Sequence, residues 1–285
     1  MSTSSSSSDL TGSVVVGIDG SQHAARALRW AADQAVLEGR RLALVAVGEA
    51  AARSVADAVV VTQALHRDLP VLPVVESGDP REVLLEASDR AHLLVLGSRG
   101  RGAVASLLLG SVSSAVSAHA SCPVVVCRPE AEGDQRLGIV VGADGTRESL
   151  PVLEFAYRQA SLRHLPLTVL HSFWDAAVAV AQYEETRGRA AVQPDLEHLR
   201  ASLSASAAGL AETYPDVFAT FTLRHGFADE ALSPRHGGWD MVVVGRHPMT
   251  SMDRLLTGSV ATAVLERARA TVAVVPEASP AEHSD

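Results

Sequence analysis

This chain of 285 residues contains no lysine and no asparagine. All 24 of its basic residues apart from histidine are therefore arginine. A Walker A phosphate loop needs its lysine, Schiff-base catalysis needs an amine, and N-linked glycosylation needs an asparagine. The composition excludes all three chemistries.

Cysteine and positive charge are also scarce. Two cysteines, Cys122 and Cys127, do not make a disulfide framework, which favours a reducing, cytoplasmic setting. The net charge of -9 argues against broad electrostatic binding to nucleic acid or to an anionic membrane. No apolar run approaches the ~20 residues that a membrane helix needs. We therefore expect a cytoplasmic protein that binds neither nucleic acid nor membranes.

Four segments of the sequence occur twice in the same order. They are Val14–Ser21 and Ile139–Thr146, Leu93–Gly97 and Met241–Gly245, Leu107–Val112 and Leu255–Val260, and Val124–Val126 and Val272–Val274. Such a repeat indicates that one unit has been duplicated, and it predicts two domains that pair within the chain. We expect a flexible tail over 1–11, domains over 12–130 and 137–277, a linker over 131–136 and a second tail over 278–285.

Short apolar runs alternate with helix-like stretches in each copy. In the first copy they are Val14–Ile18, Leu42–Val47, Val71–Val75, Leu93–Leu96 and Val124–Cys127. Runs of this length are typical of buried parallel strands, and Ser21 is placed to cap the helix after the first run. The alternation predicts an α/β fold with a doubly wound parallel sheet. Its ligand is expected beyond the carboxyl ends of the strands, where the strand order reverses.

A glycine pattern follows the fourth run. Gly97 and Gly100 are separated by two residues, and nine residues then precede Gly110 and Ser111 at the start of a helix. Glycine lets backbone approach a ligand closely, and helix-start N–H groups with the hydroxyls of Ser111 and Ser113 suit a phosphate. The alternative is a tight turn followed by an ordinary helix cap, and the glycines alone do not separate the two interpretations.

This pattern, together with Val16–Ser21 at the first run, resembles the nucleotide-binding pattern of the universal stress protein family. Because of the repeat, the resemblance covers nearly the whole chain. It implies two five-stranded parallel sheets of order 3-2-1-4-5, as in the adenine nucleotide alpha-hydrolases. It also implies ATP lying across strands one and four, with a divalent ion, expected to be Mg²⁺, shared by the triphosphate.

The resemblance implies twelve binding positions in the first copy. Ile18 and Asp19 are expected at the adenosine, with the carboxylate near the ribose, and Val47 is expected to meet the adenine through its backbone. The phosphate side consists of Gly97, Arg99, Gly100, Gly110, Ser111, Val112 and Ser113. Gly17 and Leu96 complete the twelve positions. For Asp19, a role in capping the following helix remains the alternative.

The second copy departs from the pattern. Pro248 replaces the second glycine, and proline has no N–H and holds φ near about -65°. Ala261 stands where the first copy has Ser113, and Pro234 with two later glycines interrupts the helix between the third and fourth strands. We expect one good nucleotide site, in the first copy.

Three functional hypotheses follow. The leading one is an ATP-binding regulator of stress tolerance that acts through an unidentified protein partner, with pairing of chains as a homodimer left open. The second is a slow ATP-hydrolysing or nucleotide-transferring enzyme, for which the sequence offers no base beyond Asp19, no catalytic residue and no protein metal ligand. The third is an interaction scaffold without a ligand. Turnover distinguishes the first two, and nucleotide uptake distinguishes the third.

Overall fold

The chain divides into two compact units, Met1–Pro129 and Glu130–Asp285. The computed structural model describes residues 9–100, 109–129, 136–173, 196–234, 238–246 and 260–278. Among the helices in these ranges, none combines the length and the apolar character needed to cross a membrane.

The first unit is built on five parallel strands. They are β1 (Val14–Gly17), β2 (Leu42–Val47), β3 (Val71–Glu76), β4 (Leu93–Gly97) and β5 (Val124–Cys127). They lie in the order β3-β2-β1-β4-β5, with Val14 opposite both Leu42 and Leu93. The predicted order 3-2-1-4-5 is confirmed. The chain moves outward from β1 to β3 and then crosses to β4, so the strand order reverses between β1 and β4.

Four helices cover this sheet. They are α1 (Gln22–Leu37), α2 (Ala51–Leu65), α3 (Pro80–Ser88) and α4 (Ser111–His119). The predicted cap of α1 is present, because Ser21 Oγ accepts a hydrogen bond of 3.1 Å from the N–H of Ala24. α1 packs on β1 and β4 and against α2, whereas α3 packs against α4. With right-handed crossovers, α1 and α2 cover one face of the sheet and α3 and α4 the other.

The second unit repeats this topology. Its strands are β6 (Ile139–Gly142), β7 (Leu167–Phe173), β8 (Ala219–His225), β9 (Met241–Arg246) and β10 (Thr271–Pro276), in the order β8-β7-β6-β9-β10. Its described helices are α5 (Leu150–Arg163), α6 (Leu196–Ser206), α7 (Ala208–Thr213), α8 (Ala228–Leu232) and α9 (Val260–Arg267). The shared topology follows from the repeated sequence segments.

Two helices of the second unit differ from their counterparts. α8 has five residues where α3 has nine, as the interrupted sequence predicts. α5 begins at Leu150, three positions later than α1 does, because Arg147 is the counterpart of Gln22. In α5 no side chain caps the helix start, since Ser149 at the cap position makes no such hydrogen bond. Both differences lie next to the expected second site.

Residues at the expected domain borders make specific contacts. Asp9 and Thr11, in the segment assigned to the first tail, are held by Arg41, whose guanidinium donates to their backbone carbonyls. Arg136, at the end of the expected linker, donates to Asp240 at 3.2 Å. Ala278, where the second tail was expected to begin, donates its N–H to the carbonyl of Glu148 at 3.1 Å. Hydrogen bonds to the folded units are thus present at residues of all three borders.

The central strands form the core of the first unit. Leu44 on β2 and Leu94 on β4 are wholly buried, whereas Leu65 at the end of α2 is 50% exposed. Truncating a buried leucine removes apolar contacts and leaves a cavity that its neighbours only partly fill.

We expect Leu94→Ala to lower the free energy of unfolding of the first unit by about 2 to 5 kcal/mol. The matched exposed variant Leu65→Ala should change it by less than about 0.5 kcal/mol. Urea denaturation followed by circular dichroism measures both. Equal losses in the two variants would contradict the assigned burial.

Candidate functional site

A cavity of about 360 Å³ lies beyond the carboxyl ends of β1, β2 and β4. It is lined by Gly17, Ile18, Asp19, Ala24, Val45, Val47, Pro80, Leu84, Leu96, Gly97, Arg99, Gly100, Leu109, Gly110, Ser111, Val112 and Ser113. All twelve positions selected from the sequence are among them. The volume falls within the range usual for small-molecule sites, and the position is the topological switch point of the sheet.

Asp19 follows β1 and contacts the loop after β4. Its Oδ1 accepts a hydrogen bond of 2.9 Å from the N–H of Ser21, which stabilises the turn into α1. Its Oδ2 lies against Gly100, because a methyl group built on Gly100 would be 2.8 Å from that oxygen. Ser21, and not Asp19, is the capping residue of α1. The carboxylate thus supports the turn and also reaches the cavity.

Ser98 fixes the loop after β4 to two neighbouring elements. Its N–H donates to the carbonyl of Cys127 at the end of β5 at 3.1 Å. Its carbonyl accepts from the N–H of Gly110 at 2.8 Å, which ties the loop to the start of α4. Ser113 Oγ adds a bond of 2.7 Å to the carbonyl of Gly97. The loop and the first turn of α4 therefore form one hydrogen-bonded assembly.

Close backbone contact explains the glycine at position 97. A methyl group on Gly97 would lie 2.6 Å from the carbonyl carbon of His23 and 2.9 Å from the nitrogen of Ala24. Neither Gly97 nor Gly100 takes a positive φ, so close approach and not backbone freedom requires glycine. Gly100 thus does not require a positive φ, the conformation that proline cannot take. A proline at the position of Gly100 would have no N–H to donate, and its side chain would collide with the carboxylate of Asp19.

The start of α4 supplies donors at one end of the cavity. Gly110 is its capping residue, and the exposed Ser111 is its first helical residue. The first N–H groups of a helix have no partner within the helix, and they carry the positive end of its dipole. Ser113 is buried and its hydroxyl donates to Gly97, so its hydroxyl proton is directed at the loop and not into the cavity.

The other end of the cavity is apolar. Val45 and Val47 of β2 lie on one side, and Leu84 of α3 is 4% exposed. Val45 accepts a hydrogen bond of 2.8 Å from the N–H of Ile18. Since successive peptide groups of a parallel strand point to alternate neighbours, those of Val47 also point toward β1, past its last paired residue. This places a peptide donor and acceptor beside an apolar wall.

Sequence reasoning missed five lining residues: Ala24, Val45, Pro80, Leu84 and Leu109. The Asp79–Pro80 pair is a helix-start signal, and Asp79 Oδ1 does accept from the N–H of Arg81 at 2.8 Å. That signal locates α3 along the chain. It does not reveal that Leu84 lies against Gly17 of β1, because this depends on packing between the helix and the sheet.

The sequence model of the universal stress protein family matches residues 48–128 and 138–276. The chain belongs to this family. Universal stress protein Rv2005c of Mycobacterium tuberculosis H37Rv is 32% identical over 290 residues, covering 92% of this chain and 96% of that protein. Universal stress protein Rv2623 of the same strain is 33% identical over 293 residues, covering 93% and 96%. Both relatives span the two-domain length of this chain.

Solved structures agree with the fold. The crystal structure of a universal stress protein from Archaeoglobus fulgidus aligns over 93% of this chain and 98% of that one, with a TM-score of 0.59 and 17% identity. At this identity the likeness bears on the fold alone. It agrees with the duplicated 3-2-1-4-5 sheet found here.

The second universal stress protein domain has a different arrangement at the corresponding place. Asp144 repeats the turn of Asp19, accepting from the N–H of Thr146 at 2.9 Å. Gly245, the counterpart of Gly97, has the carboxylate of Glu277 against it, where a side chain at 245 would collide. Ala261 has no hydroxyl to bond the loop in the manner of Ser113.

Three further residues of the second copy bear on its expected weakness. Pro248, Gly258 and Ser259 lie outside the residues that the structure describes. The same holds for residues 101–108, which link the loop after β4 to α4 in the first copy. The observed differences in the second domain are therefore those at α5, α8, Gly245 and Ala261.

We expect Gly97→Ala to lower the free energy of unfolding by about 1 to 3 kcal/mol, because the new methyl group meets backbone that cannot move aside. Gly209 of α7 is the matched control, since a methyl group there would have nothing within 4 Å. Gly209→Ala should leave stability unchanged or raise it by up to about 1 kcal/mol. Thermal and urea denaturation measure both, and a Gly97→Ala protein as stable as the parent would contradict the contact.

Proposed function

We propose that the first domain binds ATP, with Mg²⁺, in the cavity at the switch point, and that the chain is a nucleotide-dependent regulator of stress tolerance. One observation carries this proposal: the twelve residues selected from the sequence pattern surround a single cavity. The cavity has an apolar end and a donor-rich end, which suits a molecule that is itself part aromatic and part phosphate.

The apolar end is suited to the adenosine. Val45, Val47 and Leu84 offer an apolar wall for the adenine ring, and the peptide group of Val47 offers a donor and an acceptor to its polar edge. The carboxylate of Asp19 lies at the mouth of the switch point, where a ribose hydroxyl can donate to it. Its Oδ1 already holds the N–H of Ser21, which fixes the orientation of the carboxylate before the ligand arrives.

The donor-rich end is suited to the phosphates. The loop Gly97–Gly100 and the first turn of α4 present backbone N–H groups, and Ser111 adds an exposed hydroxyl. Arg99 supplies the positive charge that a lysine supplies in Walker A loops. Ser113 would act indirectly, because its hydroxyl holds the carbonyl of Gly97.

Magnesium would be held chiefly by the phosphates and by water. Across the described residues there is no group of three or more His, Cys, Asp or Glu side chains that could hold a metal ion. Mg²⁺ commonly keeps several waters and is bound through substrate phosphates, which is compatible with this site. Its contribution would be to offset the charge of the triphosphate.

The second domain is proposed to lack a good site. The Glu277 carboxylate against Gly245 places negative charge beside the counterpart of the phosphate loop, which disfavours a polyphosphate. α8 has five residues and α3 has nine, so the wall that α3 forms in the first domain is reduced in the second. One chain should therefore bind one nucleotide.

The proposed output is occupancy and not turnover. Asp19 is the one carboxylate among the described residues of the cavity lining, and one of its oxygens already bonds Ser21. Hydrolysis needs a group that orients water at the terminal phosphate.

A protein partner would respond to the occupied state. Cys122 and Cys127 are buried thiols, which suits the reducing cytoplasm in which we place the chain.

Asp19→Ala should raise the Kd for ATP about 10- to 150-fold, because it removes a charge-assisted hydrogen bond to the ribose. Asp144→Ala is a matched control, since Asp144 makes the same turn in the second domain. It should leave the Kd unchanged. Isothermal titration calorimetry gives the Kd and the stoichiometry, which we expect to be one per chain.

Two equivalent ATP sites per chain, or equal losses in Asp19→Ala and Asp144→Ala, would contradict a single site in the first domain. Absence of ATP binding to the parent protein at millimolar nucleotide would contradict the proposed function and favour the scaffold.

ATP turnover by the purified chain should stay below about 1 per second, the lower end of the usual enzymatic range. Phosphate release under saturating MgATP measures it. A rate of about 1 to 1,000 per second that disappears in Asp19→Ala would identify an enzyme instead.

A further inference from the structure

His23 contacts the phosphate loop from the first turn of α1. Its Nδ1 lies 3.2 Å from Oγ of Ser98, and its backbone touches Gly97. His23 is not among the described lining residues of the cavity, although the next residue, Ala24, is. The ring is therefore placed to act on the loop through Ser98, without touching the ligand.

Ser98 connects His23 to the residues that line the cavity. It is 2% exposed and lies between Gly97 and Arg99, both of which line the cavity. Its carbonyl holds the N–H of Gly110 at the start of α4 at 2.8 Å. A change in the hydrogen bond to His23 thus acts on the junction between the loop and the α4 donors.

Four charged residues act on the His23 ring from the elements around it. Burial lowers the pKa of His23, and Arg26 on α1, Arg99 after β4 and Arg128 after β5 lower it too, whereas Asp19 after β1 works in the opposite direction. With a pKa below its usual value of about 6.5, the ring is neutral at pH 7. Phosphates on the loop would bring negative charge near the ring and raise its pKa.

We propose that His23 is a positioning residue of the nucleotide site, and that its hydrogen bond with Ser98 couples phosphate binding to the uptake of a proton. This inference rests on the proposed function. The neutral ring accepts a hydrogen bond from the hydroxyl of Ser98 at Nδ1. The protonated ring donates from Nδ1 to Oγ of Ser98 and adds a positive charge behind the loop.

The direction of the pH effect follows from linkage. A group whose pKa is higher in the complex than in the free protein favours the complex at low pH. The gain in affinity is complete below the pKa of free His23, and it is lost as the pH rises through the pKa in the complex. Nucleotide affinity due to His23 therefore increases on acidification below neutral pH.

The second domain does not carry this pair. The counterpart of His23 is Glu148, and the counterpart of Ser98 is Arg246. The coupling is thus a property of the first domain and not of the fold, and it occurs in the domain that retains the phosphate loop.

The test compares the Kd for MgATP of the parent protein and of His23→Gln between pH 8 and pH 5.5. Because the terminal phosphate of ATP also titrates in this range, the ratio of the two Kd values at each pH is the quantity that matters. We expect the ratio to be nearly constant above pH 7.5 and then to change in favour of the parent, about tenfold for each unit by which ATP raises the pKa. A ratio that stays constant over the whole range would overturn the coupling.

His66→Gln is the control variant. His66 bonds Asp33 of α1 at 2.7 Å, at the end of this helix that is distant from the cavity. Its Kd should follow the parent protein at every pH. Ser98→Ala keeps the ring but removes the hydroxyl, and it should reduce the pH dependence relative to the parent. A Ser98→Ala profile identical to that of the parent would overturn the role of Ser98.

A second measurement does not depend on ATP binding by any variant. The ring proton of His23, assigned by its absence in His23→Gln, is titrated by NMR in the parent protein with and without MgATP. The pKa of His23 should be higher in the complex, and an unchanged pKa would overturn the inference. ATP binding without a shift contradicts the coupling alone, whereas no ATP binding at any pH contradicts the proposed function itself.

Discussion

The site in the first domain depends on the close approach of two backbones. Gly97 at the end of β4 touches the first turn of α1, at a distance that leaves no room for a methyl group. This contact brings the loop after β4 next to Asp19 and next to the start of α4, which Ser98 holds through Gly110. In the second domain α5 begins later, and the Glu277 carboxylate lies against the corresponding glycine. The same topology thus yields two different environments.

Much of the fold and of the site could be predicted because both follow from local chemistry. Buried parallel strands are short apolar runs, and a ligand at a switch point requires backbone that comes close, which the spacing of Gly97, Gly100 and Gly110 indicates. The sequence did not reveal Leu84 or the Ser98–His23 hydrogen bond. Ser98 and His23 are 75 positions apart in the sequence. Their hydrogen bond and the position of Leu84 both depend on how the helices pack on the sheet.

The duplication explains why the two copies can diverge. For the proposed regulator, whose signal is occupancy, one functional site is enough, so the second copy can keep its core while its site changes. The central strands β6 and β9 of the second domain remain buried, with Val140 and Val243 wholly inaccessible. Its departures lie at helix starts, at the short α8 and at Glu277, all at the carboxyl edge of the sheet. The absence of lysine is compatible with phosphate binding, since backbone N–H groups and Arg99 can replace it.

A crystal structure of the chain grown with MgATP would show directly whether the first domain holds a nucleotide. We expect one nucleotide per chain, with its adenine beside Val47, its ribose at Asp19 and its phosphates on the loop Gly97–Gly100 and the start of α4. Nucleotide bound at Asp144 in the second domain, or phosphates placed away from Gly97 and Gly110, would contradict it.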